Sequence, residues 1–247
     1  MASTSETGHA KNVSNFEDLI SFCTGYGTKY NPSNPTLSLT ALNTLFTSAK
    51  ASLTTLNTTR VPWVNAVNAR EIAFKPLNPL ITRVINALDS TEASAEVVAD
   101  ARSIAKKIQG VRAKPKNNPT PLDPNNPDPD PKSISASQMS YDSRIENLEK
   151  LFKLLAGQPE YAPNETELQV ASIDALHGNL KSLNTTAVTT YTDISNARIA
   201  RNNLLYSPIT GLVEIAGSVK KYIKSVFGAS SPEYKQVSGL QFKIRKD

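Results

Sequence analysis

The sequence predicts an all-α fold built from two tandem copies of one helical unit. Short motifs recur in the same order in both halves, apolar residues recur at spacings of three and four, and a proline-rich segment separates the halves. We expect two antiparallel helical bundles of about four helices each, and the linker allows them either to stay separate or to merge into one pseudo-symmetric body. Each bundle is expected to end in a short β-strand.

Five short matches carry the predicted duplication, and they occur in the same order in both halves. Their members lie between 127 and 131 residues apart, so small insertions account for the drift. The matched pairs are Tyr30 and Tyr161, Asn57 and Asn184, Asn68 and Asn196, Pro79 and Pro208, and Gly110 and Gly239. Five collinear matches indicate duplication far more strongly than any single one would.

The matches divide the chain into four segments. They are a flexible tail at 1–14, a first helical repeat at 15–114, a Pro/Asn/Asp-rich linker at 115–142 and a second helical repeat at 143–247. Because proline lacks an amide donor and restrains the residue before it, the linker should form neither a helix nor a central strand. We expect an extended spacer there.

The apolar spacing predicts four helical stretches in each repeat. Those of the first repeat centre on residues 16–23, 42–56, 64–74 and 93–108. Pro62 predicts a break or a kink in the first repeat, and at a break Thr59 would cap a new helix. The second repeat has no proline at this place, so one long helix and two shorter ones both fit its pattern.

The last segment of each repeat has a different period. Residues 240–245 alternate apolar and polar side chains, which is the pattern of a β-strand, and residues 111–114 form a shorter version. A glycine precedes each and favours a helix stop. The two strands would either pair with each other or leave exposed edges that accept another chain.

Composition and motifs argue against an enzyme. Cys23 is the one cysteine, which excludes an internal disulfide and a cysteine-based zinc site, and we expect it to be a small buried apolar residue. His9 and His177 have no second histidine at ligand spacing, and we expect a surface or boundary position for His177. The chain lacks a nucleophile elbow and a phosphate-binding glycine loop. We therefore predict no catalytic, cofactor-binding or metal-binding residue.

Two sets of polar residues are candidates for interactions. The first is the shared Asn-Ala-Arg motif, which forms either a pair of symmetric binding sites or inter-helix hydrogen bonds. Its candidates are Asn68, Arg70, Asn196 and Arg198. The second set is basic and near the C-terminus, where it forms a solvated face, a nucleic-acid contact or a contact with an anionic membrane surface. It comprises Lys220, Lys221, Lys224, Lys243 and Arg245.

These observations favour a non-enzymatic structural or interaction protein. An internal duplication presents two quasi-equivalent faces, so we expect a protein partner or self-assembly through those faces or through strand edges. The alternative is a nucleic-acid-binding module that uses the basic C-terminal region of a chain with net charge +5. No apolar run approaches the ~18 residues of a membrane span, and the polar start lacks a signal-peptide core, so we expect a cytoplasmic protein.

Overall fold

The computed structural model describes residues 8–111 and 139–245, and these residues form a mostly helical structure. The prediction of an all-α fold is confirmed. The α-helices are α1 His9–Gly25, α2 Leu39–Phe74, α3 Leu77–Asp89, α4 Ala95–Gln109, α5 Tyr141–Ala156, α6 Val170–Tyr206, α7 Leu212–Phe227 and α8 Pro232–Ser238. Short 3₁₀ helices lie at Gly27–Lys29, Pro35–Leu37 and Thr166–Leu168.

The two halves of the chain contain the same order of elements. A helix of 16 or 17 residues is followed by a loop with a 3₁₀ helix, a helix of 36 or 37 residues and then two shorter helices. The tyrosines of the two loops are both buried and make the same hydrogen bond. Tyr30 Oη donates to the Leu37 carbonyl at 2.7 Å, and Tyr161 Oη donates to the Leu168 carbonyl at 2.8 Å.

The described chain separates into two compact units that do not follow the predicted repeats. Unit I comprises residues 8–64 and 189–245, and unit II comprises residues 65–111 and 139–188. Each unit therefore takes helices from both halves of the sequence. The prediction that each repeat forms its own bundle is not supported, because the unit boundaries fall inside the two long helices and not in the linker.

Helix α2 runs through the position where the sequence predicted a break. Pro62 lies inside the helix, and Thr59 does not start a new one. Proline removes one amide donor, whereas two new helix ends would leave four carbonyls and four amides without intrahelical partners. A continuous helix therefore satisfies more of the backbone. Helix α6 is likewise uninterrupted, which settles the alternative that the sequence left open.

The core of unit I forms where α1 packs against α7. Helix α1 buries Phe16, Leu19 and Cys23 on one face, and this spacing of three and four residues is that of an amphipathic helix. Leu42 of α2 and Val237 of α8 belong to the same buried cluster. The prediction that Cys23 is a small buried residue is confirmed.

The core of unit II has the same kind of composition. Helix α5 buries Leu148, Leu151 and Leu155, and helix α3 contributes Ile81 and Leu88 to the same cluster. Because aromatic residues are sparse at 6%, both cores are built mainly from aliphatic side chains.

The predicted C-terminal strand does not form. Residues 240–245 have no regular structure, and the described residues contain no strand. Side chains satisfy the backbone instead: Asn15 Nδ2 donates to the Gln241 carbonyl, and Asn12 bonds both the carbonyl and the amide of Lys243. An alternating pattern therefore indicates an extended backbone. Whether that backbone forms a β-strand depends on whether another strand lies beside it. Of the shorter predicted strand, Val111 is irregular, and 112–114 lie outside the described residues.

The outer boundaries differ modestly from those predicted. Helix α1 begins at His9, within the predicted tail, because Asn12 and Val13 are buried in unit I. Helix α5 begins at Tyr141, two residues before the predicted second repeat, and Ser140 caps it by accepting from the Ser143 amide. Most of the predicted linker, 115–138, lies outside the described residues. Across the part of the chain that is described, no helix is both long enough and apolar enough to cross a membrane.

Candidate functional site

The Asn-Ala-Arg motif occupies different places in the two long helices. Asn68 and Asn196 are exposed, whereas Arg70 and Arg198 are half-buried. Arg70 lies four residues before the end of α2, and Arg198 lies eight residues before the end of α6. The structure assigns the two arginines to different compact units and does not bring them to matching positions.

The basic C-terminal residues are partly used within unit I. Lys220 Nζ donates to the carbonyls of Ser238 and Leu240 at 3.0 and 2.9 Å, and its burial lowers the pKa of this amine. Lys224 lies over the ring of Tyr234. Lys221, Lys243 and Arg245 are exposed. These cations therefore do not all project from one free surface.

An unusual turn joins α6 to α7 in unit I. The Thr210 amide donates to the Pro208 carbonyl at 2.8 Å, which closes a three-residue γ-turn around Ile209. Ile209 has a φ of 70°, and it is the one described residue other than glycine with a positive φ. A β-branched side chain is disfavoured in this region by roughly 1–3 kcal/mol. The turn nevertheless leaves Ile209 83% exposed.

Gly211 completes this turn. Its amide donates to the Ser207 carbonyl at 2.9 Å. A Cβ at this position would lie 2.6 Å from both the nitrogen and the oxygen of Ser207, so no other residue fits without moving the backbone. The turn is therefore held in one shape by its own backbone contacts.

A groove of about 590 Å³ lies beside the turn in unit I. It runs between the first turns of α2 and the start of α7. Its apolar lining comes from Leu37, Ala41, Leu45, Ile209 and Ile215. Hydroxyl and amide side chains complete the wall, and none of the described residues that line it is charged. We call the turn at 207–211 and this groove together the groove face.

The corresponding place in unit II is bridged by an ion pair. The buried residues of α3 (77, 81, 84 and 88) and of α7 (212, 216, 219 and 223) correspond at a constant separation of 135. By that correspondence Arg83 matches Ser218, and Glu167, which precedes Leu168, matches Thr36. Arg83 Nη2 donates to Glu167 Oε1 at 2.7 Å, and this bond lowers the pKa of Glu167. In unit I the corresponding residues are the hydroxyl residues Thr36 and Ser218, and both line the groove.

A second, more polar cleft of about 260 Å³ lies between α5 and α6 in unit II. Its lining includes Asp142, Glu146, Glu149, His177 and Lys181. His177 is 9% exposed, and its Nε2 is buried without a hydrogen-bond partner, 3.8 Å from Glu149 Oε2. The sequence predicted a surface or boundary position for His177, and this prediction is wrong, because His177 is buried. Its orphaned nitrogen could not be read from the sequence.

Two residues that line this cleft, Asp142 and Asn184, belong to a chain of hydrogen-bonded polar side chains. Arg70 Nη1 donates to Asn184 Oδ1 at 2.9 Å, and Asn184 Nδ2 donates to Asp142 Oδ1 at 2.7 Å. The guanidinium of Arg70 lies 4.0 Å from the ring centre of Tyr141. Arg70 therefore makes inter-helix contacts of the kind that the sequence offered as the structural alternative.

The buried cysteine of α1 is poorly placed for nucleophilic chemistry. Burial raises the pKa of Cys23 to about 12, so its thiol is protonated at neutral pH and is a poor nucleophile. Within 8–111 and 139–245, no group of three or more His, Cys, Asp or Glu side chains is placed to hold a metal ion.

No protein-family model, curated protein or solved structure matches this chain. Sequence reasoning missed the groove face because it placed Ile209 at the start of a helical face. The available signal was length: the second half uses five residues, 207–211, where the first half joins α2 to α3 with two.

Proposed function

We propose that the protein is a non-enzymatic structural or interaction protein that self-associates through the groove face of unit I. The observation that carries the proposal is Ile209, which is 83% exposed and fixed at a left-handed φ beside an open apolar groove. Strained residues persist where the surrounding structure holds them, and they cluster at binding sites.

The groove face carries both halves of a self-complementary contact. Ile209 projects from the surface, and the groove beside it accepts an apolar side chain. In a two-fold dimer the same patch meets itself, so Ile209 of one copy would enter the groove of the other. The groove volume lies within the range of ~300–1,000 Å³ that is typical of protein binding pockets.

The charge distribution favours a second copy as the partner. The chain has a net charge of +5, so two copies repel each other, and a contact region without cations adds least to that repulsion. Residues 30–49, which supply one wall of the groove, include no charged side chain, although 20% of the whole chain is charged. Apolar contact can therefore form there without burying an unpaired charge.

The duplication is also part of the proposal. The repeated order of helices and the matching hydrogen bonds of Tyr30 and Tyr161 support two copies of one ancestral unit. In this reading one unit kept a bridged surface and the other gained a longer turn and an open groove. The non-enzymatic assignment is supported by the buried, protonated Cys23. The cytoplasmic location expected from the sequence stays a prediction.

The nucleic-acid alternative is less well supported. Lys220 is engaged with backbone carbonyls and Lys224 with an aromatic ring, so two of the five candidate cations already make contacts within unit I. A nucleic-acid complex would lose affinity steeply with added salt. A gel-shift titration with a labelled duplex at low salt tests it directly.

Light scattering coupled to size exclusion tests self-association. Wild-type protein is expected to shift from the monomer toward the dimer mass between about 1 μM and 1 mM. Ile209→Asp should stay monomeric, because it places a charge in an apolar contact. Ala41→Arg, which fills the groove, should have the same effect.

The matched control is Ile244→Asp, which alters an exposed isoleucine of unit I that does not line the groove. It should dimerise like the wild type. A wild-type protein that remains strictly monomeric over the whole range would refute the proposal, and so would equal loss of dimer in the control.

A further inference from the structure

A shallow hollow adjoins the groove face on the surface of unit I. It has a volume of about 530 Å³, and α2 supplies the five residues that line it, namely Thr40, Asn43, Thr44, Thr47 and Ser48. Thr44 and Ser48 also line the groove, so the hollow and the groove share a wall. All five residues are exposed, and their spacings of three and four place them on one side of the helix. We call these five residues the threonine face.

The threonine face has fewer unused polar groups than its composition suggests. Thr44 Oγ1 donates to the Thr40 carbonyl at 3.0 Å, and Thr47 Oγ1 donates to the Asn43 carbonyl at 2.9 Å. The side-chain amide of Asn43 donates to the Leu39 carbonyl at 2.7 Å. Because these donors are bonded within their own helix, another protein surface can cover them without leaving a buried donor unsatisfied.

The threonine face is also free of charge. No residue of 40–48 carries a charged side chain, and the nearest charged residue along α2 is Lys50. Its Nζ lies 5.8 Å from the ring centre of Phe46. Phe46 is about 100° around the helix from Thr47, so Lys50 is drawn away from the threonine face.

The groove face alone is too small to hold two copies together. Specific interfaces bury ~800 Å² per partner, and one inserted isoleucine side chain covers only a fraction of that area. On the α7 side of the groove, Ser218 is flanked on its own helix face by the exposed Glu214 and Lys221. A contact that spreads in that direction would bury charges, whereas the threonine face adds area without them.

The corresponding surface of unit II differs in charge. The buried residues of α2 (42 and 49) and of α6 (173 and 180) correspond at a constant separation of 131. At this separation Asn43 corresponds to Asp174 and Thr47 to Gly178, and both of these residues of α6 are exposed. Unit II therefore presents a carboxylate where unit I presents an amide, and only unit I offers an uncharged surface here.

We propose that the threonine face forms part of the contact between two copies of this chain, with α2 of one copy packed against α2 of the other. The two helices cross antiparallel, which opposes their macrodipoles, while Ile209 of each copy fills the groove of its partner. Because this contact extends the groove face, it rests on the self-association proposed above.

Thr47→Arg tests the extension separately, because Thr47 lines the hollow and not the groove. In light scattering its dimer dissociation constant should rise roughly tenfold or more, since the contact would bury an unpaired cation. Gly178→Arg makes the matched change in unit II and adds the same charge. A side chain at Gly178 meets open space, so this variant keeps the fold and should dimerise like the wild type.

Spin labels locate the contact along α2. Because Cys23 is buried, a nitroxide can be attached selectively to Lys50→Cys or to Arg60→Cys, both at exposed positions. Position 60 lies about 15 Å further along the helix than position 50. Antiparallel helices separate with distance from the two-fold axis, so double electron–electron resonance should give a shorter distance between copies at 50 than at 60.

The measurements distinguish the extension from the groove face itself. A wild-type protein that stays monomeric refutes both. Loss of the dimer in Ile209→Asp together with unchanged dimerisation of Thr47→Arg overturns the extension alone. Equal weakening by Gly178→Arg, or a distance at 60 no longer than that at 50, overturns it as well.

Discussion

Buried asparagines take the place of a β-ladder at the end of the chain. Asn12 is 3% exposed and Asn15 is 5% exposed, and both hold backbone groups of residues 241–243. The alternating pattern at 240–245 predicted an extended segment but did not identify Asn12 and Asn15 as its partners. Polar residues on an otherwise apolar helix face were the available signal.

Replacing Asn12 by alanine should loosen this segment. The change removes both hydrogen bonds to Lys243 and leaves its carbonyl and amide without these partners, which costs about 1–3 kcal/mol. Chemical denaturation measures the loss, and hydrogen exchange should show faster exchange at the Lys243 amide. Ser14→Ala, on the exposed side of the same helix, should change neither quantity.

Cys23 should be almost inert toward alkylation in the native protein. Burial raises the pKa of its thiol to about 12, so the reactive thiolate is scarce at neutral pH. The rate of iodoacetamide modification should keep rising with pH past about 9, where an exposed cysteine levels off. Unfolding in guanidinium should restore ordinary reactivity. Rapid modification of the folded protein near neutral pH would contradict the buried position.

At the scale of the elements, helix spacing predicted fold class well and boundaries poorly. Spacings of three and four residues report which face of a helix is apolar, and those faces are buried as expected. The same pattern contains no information about which helix covers the face. The break predicted at Pro62 does not occur, because a proline weakens a helix locally without forcing it to end.

Helix α2 should become more stable when Pro62 is removed. Pro62→Ala restores one amide donor and relieves a ring clash, which is worth up to about 3 kcal/mol inside a helix. Thermal unfolding should show a higher midpoint. Pro76→Ala serves as the control, because Pro76 lies at the N-cap of α3, where the missing donor costs little. An unchanged midpoint for Pro62→Ala would indicate that the helix is broken there.

The candidate sites were harder to predict than the helices. Ile209 fits an apolar face in the sequence, and only its left-handed φ identifies it as the tip of a turn. His177 and Asn184 are seven residues apart on α6 and line one cleft, but their functional interest depends on Glu149 and Asp142 from another helix. Pairings between distant segments are not encoded in local periodicity.

On the scale of the whole molecule, the division of the chain is the main departure from expectation. Each compact unit requires segments from both sides of the linker, 8–64 with 189–245 and 65–111 with 139–188. The apolar faces of the first half are therefore covered by helices of the second. Neither half contains a complete core.

A chain cut within the linker should stay together. With a protease site inserted between residues 112 and 138, the two fragments should co-elute after cleavage and separate only in denaturant. Each purified fragment should show little cooperative unfolding, because its buried face lacks a partner. If each repeat were its own bundle, the fragments would elute separately and each would unfold cooperatively.

Unit I is built from two segments that lie far apart in the chain, and this separation affects how the unit folds during synthesis. Residues 8–64 leave the ribosome early but lack the helices that complete their core until residues 189–245 have been made. The 124 residues of 65–188 are translated in between, which takes roughly 6–25 s at ordinary elongation rates. During that interval the apolar face of α1 has no native cover. We therefore expect the nascent chain to engage ribosome-associated chaperones through α1, and unit II to finish folding first.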